Sequence, residues 1–384
     1  MTRRIAVLGS TGSIGVNTLK VAVALKKNIK ITALSADSNI KLLAEQVKIF
    51  KPKIVSVRDG ILAAKIKGMI PGGTKVLFGI RGLNEIASMP DVDMAVFAIS
   101  GSSCLAPLVA AIKNKKRIAL ANKESLVSGG SLVMELAKKN NVSIIPIDSE
   151  HSAVFQCLEG KRPYLNKIYL TATGGPLLNI PKSRFDNLNP KFVLNHPKWK
   201  MGKKISIDSA TMMNKGLEII EAKWLFGVDE NKIEVLIHPE AIVHSMIGLV
   251  DESVFAQLSV PDMRIPIQYA LTYPGRLKGL AKTIDFLKIK NLTFQKPDLN
   301  KFPCLKLARE ALKRGGTYPA VLNVADEEAV DRYLDGKIAF SRIPYIIEKV
   351  IQRHRCIKKG RLSIEDIYSA EAWAKEEVAK LCCH

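Results

Sequence analysis

Ile5-Ala-Val-Leu8 followed by Gly9-Ser10-Thr11-Gly12-Ser13-Ile14-Gly15 decides how the first part of the chain folds. Four apolar residues run into a glycine-rich turn, and the turn opens a stretch with helical spacing. Strand, turn and helix in that order fit the GxxGxxG variant of the dinucleotide fingerprint. There the glycines let the backbone approach a pyrophosphate, whose charge sits at the helix N-terminus. Gly, Ser and Thr also populate ordinary βα turns, so position after the first strand is what favours the functional reading.

Outward from this loop, residues 1–148 alternate short apolar runs with helical stretches: Ile5–Leu8, Ile29–Leu34, Ile54–Val57, Met94–Ile99, Arg117–Ala121 and Val142–Ile147. Strands separated by helices predict an α/β domain with a Rossmann-like, doubly wound parallel sheet. The second run ends in Leu34-Ser35-Ala36-Asp37-Ser38-Asn39, where the ribose of a dinucleotide is read. Asp37 there favours NAD, by accepting from a 2′-hydroxyl, and no Arg stands in this stretch to favour NADP.

After Asp148 the pattern changes. Lys167–Thr171, Lys204–Ile207, Glu234–Ile237, Ile242–Val250 and Val254–Val260 read as strands mixed with two helices, and the pair flanking Asp251-Glu252 reads as a hairpin. Residues 149–284 are therefore expected to form an α+β catalytic domain whose hairpin sheet could supply a dimer edge. Residues 285–299 read as a linker, and 300–384 as a C-terminal α-helical domain with a capping sequence at Ser363-Ile-Glu-Asp366.

The 384 residues carry a formal net charge of +22. Lysines are spread along the whole chain and aromatics make up 6% of it, so no stacking platform for nucleic-acid bases is evident. Anionic small substrates together with the habit of a lysine-rich proteome suit this charge better. The six cysteines, Cys104, Cys157, Cys304, Cys356, Cys382 and Cys383, show neither CxxC nor Cys/His metal spacing and read as free thiols. The first strand starts at Ile5, leaving no room for a signal peptide, and no apolar run approaches the roughly 18–20 residues of a membrane span. The expectation is a cytoplasmic protein with no membrane and no nucleic-acid partner.

Two polar junctions carry chemistry. Ile144-Ile-Pro-Ile-Asp148-Ser149-Glu150-His151 places two carboxylates, a hydroxyl and an imidazole at the carboxyl end of an apolar strand, the edge where open α/β sheets bind ligands. Asp148 and Glu150 can both face a hard divalent cation; a helix N-cap with acidic first-turn residues is the competing explanation. Ile205-Ser-Ile-Asp208-Ser209-Ala-Thr-Met-Met-Asn214-Lys215-Gly-Leu-Glu218 reads as a second strand-to-helix junction. With Ser209 at the N-cap, Asn214 and Lys215 could grip a phosphate while Glu218 completes a metal site; a capped surface helix is the alternative. Between them, Asn195-His196-Pro-Lys198-Trp199-Lys200-Met201-Gly202 suits a lid that excludes water, or a loop whose Trp anchors in a core. His151, His196 and His244 come from separate segments, and no Ser-His-Asp order or HExxH pattern supports a hydrolase.

Six segments in this order resemble the 1-deoxy-D-xylulose 5-phosphate reductoisomerase family: Gly9–Gly15, Ala121-Asn-Lys-Glu-Ser125, Asp148–His151, His196–Gly202, Asp208–Glu218 and Pro261-Asp-Met-Arg264. The likeness runs from Gly9 to about Arg276, more loosely in the tail. It implies an NADPH-dependent oxidoreductase that converts 1-deoxy-D-xylulose 5-phosphate to 2-C-methyl-D-erythritol 4-phosphate in non-mevalonate isoprenoid synthesis. The route implied is retro-aldol cleavage and re-aldolisation, followed by hydride delivery. It further implies that Asp148, Glu150 and Glu218 hold Mg²⁺ or Mn²⁺, and that Thr173, Ser209, Asn214 and Lys215 hold the substrate phosphate. Lys123, Ser149 and His196 would contact the substrate, His151 and His244 would assist, and Trp199 and Met201 would close over it. Thr11, Gly12, Ser13, Ile14, Asn39, Asn122, Glu124 and Gly202 would line the cofactor site beside Asp37 and Ser38, in a homodimer. Thr173 stands where the family usually shows Ser, keeping the hydroxyl, and Asp37 and Ser38 stand where some members carry Gly and a basic residue. A dehydrogenase of similar architecture would share the glycine loop without needing the three carboxylates. A nucleic-acid-binding role for the positive charge would leave both polar junctions unexplained.

Overall fold

The computed structural model describes residues 2–199, 201–356 and 362–382, so Lys200 and Cys383 lie outside it. Its contacts divide the chain into two compact units. The first comprises Met1–Ser125, Val133–Ser152 and Asp262–Lys282; the second comprises Leu126–Leu132, Ala153–Pro261 and Thr283–His384.

The strands of the first unit are β1 (Arg3–Leu8), β2 (Ile29–Ser35), β3 (Ile54–Val57), β4 (Lys75–Phe78), β5 (Met94–Phe97), β6 (Arg117–Leu120) and β7 (Ile144–Pro146). They form one parallel sheet in the order β4-β3-β2-β1-β5-β6-β7. Interleaved in the chain are α1 (Ser13–Ala24), α2 (Ile40–Phe50), α3 (Gly60–Lys67), α4 (Gly79–Ser88), α5 (Leu105–Lys113), α6 (Glu124–Lys139) and α7 (Ser149–Cys157). Ile5–Leu8 of β1 and all of β5 are fully buried, as strands covered on both faces must be. The strand order reverses between β1 and β5, which opens a crevice at the carboxyl edge beside Gly9. β4 escapes sequence reading because Lys75-Val-Leu-Phe78 is only four residues long and lies, partly exposed, at the edge of the sheet.

The second unit contains β8 (Leu165–Ala172), α8 (Pro190–Val193), α9 (Lys203–Thr211), α10 (Met213–Phe226), β9 (Ile233–Ile237), β10 (Val243–Leu249) and β11 (Val254–Leu258). The sheet order is β11-β10-β8-β9, and the β10/β11 hairpin turns at Asp251-Glu252 as expected. Helices α12 (Pro303–Arg314), α13 (Tyr318–Leu334), α14 (Arg342–Arg353) and α15 (Ile364–Cys382) pack together. The Ser363 hydroxyl accepts from the Asp366 amide and the Asp366 carboxylate accepts from the Ser363 amide, each at 3.0 Å, so α15 opens with the capping box.

Three expectations need correction. Lys204–Ile207 is not a strand: it lies in α9, because Ile207 is buried with Ala210 and Thr211 at helical spacing, which outweighs the short Ile-Ser-Ile alternation. Ser209 is therefore in the last turn of α9 and not an N-cap; the break before α10 is made by Met212 in the left-handed region at φ 63°. Residues 262–282, including α11 (Arg264–Thr272), pack with the first unit and not in a domain ending at 284. Arg3 donates to the Leu271 carbonyl and Arg117 to that of Tyr273, while α11 lies on α1. The 285–299 stretch makes a turn at Phe286–Lys288, and Gln295 bridges Ile237 of β9.

Gly15 sets how close α1 can come to the loop. A Cβ there would stand 2.2 Å from the Gly9 carbonyl oxygen and 2.5 Å from the Ser10 Cα, whereas one on Gly12 would meet nothing nearer than 3.6 Å. Gly15→Ala should therefore cost about 1–3 kcal/mol or more in chemical denaturation, while Gly12→Ala stays within about 0.5 kcal/mol. Equal losses would contradict this packing.

Candidate active site

The glycine loop is held from below. Ser10 Oγ donates to Gln46 Oε1 at 2.6 Å, Gln46 Nε2 returns a bond to the Ser10 carbonyl at 2.9 Å, and the Gly9 amide donates to Ser35 Oγ at 3.0 Å. Gly9, at φ +90°, lies against Ala98 at the end of β5, where a Cβ would be 2.5 Å from the carbonyl oxygen. Thr11, Gly12, Ser13 and Ile14 are left exposed or half-exposed. No side chain caps α1, and its first turn carries no acidic residue. An uncapped helix N-terminus behind a glycine turn is a fit for a dinucleotide pyrophosphate. Asp37, Ser38 and Asn39 lie exposed at the end of β2, with the Asn39 side chain capping α2 through the Leu42 amide.

Adjacent strands bring the next residues together. Leu120 of β6 pairs with Pro146 of β7, so the segments that follow emerge side by side, and Lys123 Nζ lies 2.5 Å from Asp148 Oδ2. Both side chains are nearly buried. Asn122 is buried; its amide donates to the carbonyls of Ile99 and Gly101 and to Glu124 Oε2, and its Oδ1 accepts from the Ser125 amide. Asn122 and Glu124 thus tie the β5 and β6 loops together. At the start of α7, Ser149 Oγ donates to Glu150 Oε2 at 2.6 Å, and His151 is fully buried.

In the second unit, α10 presents Asn214, Lys215 and Glu218 along one face. Asn214 Nδ2 donates to Glu218 Oε1 at 2.6 Å and Lys215 pairs with Glu218 Oε2; Lys215 and Glu218 are buried. Ser209 lies against the turn after β8 because Gly175, at φ +65°, lets that turn approach α9: a Cβ there would sit 2.7 Å from the Ser209 carbonyl oxygen. α9 is anchored by a group that sequence reading missed, Lys204 between Asp208 at 2.6 Å and Asp326 of α13 at 2.7 Å. Burial, and next the neighbouring Asp326 carboxylate, push Asp208 well above the usual carboxylate range.

His196 is held as a neutral ring. Its Nδ1 accepts from the amides of Lys198 at 3.2 Å and Trp199 at 2.9 Å, so the proton belongs on Nε2, which donates to Thr173 Oγ1 at 3.0 Å. Thr173 also accepts from the Gly175 amide, which leaves its own hydroxyl proton to donate to an anion. Trp199 lies 6.4 Å from the ring of His244, whose Nε2 bonds the Ser259 carbonyl, so His244 is a floor for the Trp199 loop. Met201 is half-buried and Gly202 exposed on the same loop.

Models of the 1-deoxy-D-xylulose 5-phosphate reductoisomerase family match residues 5–130, and those of its C-terminal domains match 144–226 and 258–377. The chain belongs to the 1-deoxy-D-xylulose 5-phosphate reductoisomerase family. It is 50% identical over 382 residues to the reductoisomerase of Desulfosudis oleivorans, covering 99% of each chain. It is 51% identical to that of Acetivibrio thermocellus, covering 99% of this chain and all of that one. A crystal structure of a reductoisomerase in complex with NADPH, fosmidomycin and magnesium superposes with a TM-score of 0.95 at 38% identity, covering 99% of this chain and 98% of that one. The Zymomonas mobilis enzyme in complex with NADPH gives 0.93 at 39% identity, covering 100% and 99%.

Burial lowers the His196 pKa to about 4 from its ordinary 6.5. The unfolded chain takes up that proton near pH 6.5 and the folded chain near 4, so this ring's contribution to stability is complete above 6.5 and is lost as pH falls towards 4. An NMR titration of the His196 ring should show its midpoint well below 6.5; a midpoint at the ordinary value would contradict the two amide bonds to Nδ1.

Proposed function

We propose that this chain converts 1-deoxy-D-xylulose 5-phosphate to 2-C-methyl-D-erythritol 4-phosphate with NADPH and Mg²⁺ or Mn²⁺, and that the residues described above divide the work. Asp148, Glu150 and Glu218 are the metal ligands: an all-carboxylate donor set suits a hard divalent cation. Thr173, Ser209, Asn214 and Lys215 hold the phosphate, and Lys123, Ser149 and His196 contact the rest of the substrate. When bound, the cation polarises the substrate carbonyl and stabilises enolate charge, and NADPH supplies the hydride.

The observation that carries this reading is that the glycine loop after β1 and the Lys123–Asp148 pair after β6 and β7 share one edge of one sheet. Lys123 is desolvated and already oriented by Asp148, so its ammonium is ready to meet an anionic substrate. In the same way Glu218 holds the Lys215 ammonium in an ion pair on α10. His196, held neutral, orients the Thr173 hydroxyl and adds no charge of its own. Trp199 and Met201 form the lid that excludes water, with His244 beneath Trp199 and His151 packing the start of α7. Asn122, Glu124 and Gly202 line the cofactor site with Thr11 to Ile14.

The enzyme acts as a cytoplasmic homodimer in this reading. Among the described residues no helix is long and apolar enough to cross a membrane. β11 is an edge strand with Val254 and Phe255 exposed, a surface suited to pairing with a second copy.

The test is NADPH oxidation with 1-deoxyxylulose 5-phosphate, with and without Mn²⁺, in wild type and Glu150→Gln. Oxidation should require the metal and fall roughly 100-fold or more in the variant, the upper end of what even outer-shell changes at metal sites cost. Metal-independent oxidation would remove the metal assignment, and no oxidation with NADPH or NADH would remove the substrate.

A further inference from the structure

We infer that Arg58 is the residue that reads the 2′-phosphate of the cofactor and sets the preference for NADPH over NADH. The inference rests on the NADPH reading above. At the end of β2, where the adenosine ribose is recognised, the chain offers an acid, a hydroxyl and an amide in Asp37, Ser38 and Asn39, with no cation among them. A carboxylate there accepts from a ribose hydroxyl and repels a dianionic phosphate, so Asp37 alone would select the wrong cofactor.

The sheet supplies what the segment lacks. Ser35 of β2 pairs with Ser56 of β3, so the residues that follow the two strands emerge side by side on the carboxyl edge. The Arg58 amide donates to the Asp37 carbonyl at 3.1 Å, which fixes the two backbones together. The Arg58 guanidinium then reaches back, with Nη1 3.3 Å from Asp37 Oδ2 and Nε 3.3 Å from Asp59 Oδ2. Asp59 is committed elsewhere as well: its Oδ1 accepts from the Leu62 amide at 2.9 Å and caps α3.

Two consequences follow. The guanidinium neutralises Asp37, removing the repulsion a 2′-phosphate would meet. It also places a planar fork of donors, matched to phosphate oxygens, beside the ribose position. The Arg58 and Asp37 side chains are 57% and 70% exposed, and so open an ion pair holds weakly; the guanidinium can turn from Asp37 to a phosphate at little cost. Arg58 lies about twenty residues beyond the ribose-reading stretch, which is why the stretch itself shows no Arg.

The experiment is calorimetric titration of wild type and Arg58→Gln with 2′,5′-ADP and with 5′-ADP, in the absence of sugar phosphate. Loss of a charge-assisted phosphate contact should weaken 2′,5′-ADP roughly 10- to 100-fold while 5′-ADP stays within about 2-fold. In steady-state assays the KM for NADPH should rise in parallel, with kcat/KM for NADH unchanged or improved because Asp37 is unmasked. Unchanged 2′,5′-ADP binding would overturn the inference, as would equal weakening of both nucleotides, which is what a merely structural role for Arg58 gives. The titration reads nucleotide binding without turnover, so it stands or falls separately from the substrate assignment.

Discussion

Burying a carboxylate requires a cation beside it, and the candidate site is organised around meeting that requirement with lysine. Asp148 is neutralised by Lys123 and Glu218 by Lys215, whereas Lys204 alone serves both Asp208 and Asp326, and burial with the neighbouring Asp326 carboxylate pushes Asp208 well above the usual carboxylate range. Left unpaired, any of these acids would cost several kcal/mol or take up a proton. Each ion pair fixes its acid and its lysine in one place within its own unit.

Position follows from topology. In the first unit every functional segment leaves the carboxyl edge of the parallel sheet, and strand neighbours decide which segments meet: β1 with β5 for the glycine loop, β6 with β7 for Lys123 and Asp148, β2 with β3 for Asp37 and Arg58. In the second unit close backbone approach does the same work. Gly175 brings the Thr173 turn onto α9, and Met212 breaks the chain so that α10 can redirect Asn214 and Lys215.

Local motifs were legible in the sequence because their signals are local. The glycine loop, the Asp148/Glu150 junction, the β10/β11 hairpin and the Ser363/Asp366 cap each occupy a few consecutive residues with one backbone solution. What the sequence hid was set by distant partners. Ile205-Ser-Ile207 alternates like a strand, yet burial of Ala210 and Thr211 makes it helical. Residues 262–282 join the first unit through arginines more than 140 residues away. Arg58 approaches Asp37 only because β3 lies beside β2, and Asp326 reaches Lys204 only because α13 packs on α9. Strand order combined with the residue after each strand would have found Arg58; nothing in the sequence pattern marks Asp326.

The central claim is that Asp148, Glu150 and Glu218 act as ligands of one metal ion. The most direct measurement is a Mn²⁺ titration followed by electron paramagnetic resonance in wild type and Glu218→Gln, without cofactor or substrate. One Mn²⁺ should bind per chain in wild type, with an affinity lower by roughly 10- to 100-fold in the variant. Equal affinity in the two proteins would contradict it, leaving Glu218 as no more than the partner of Lys215.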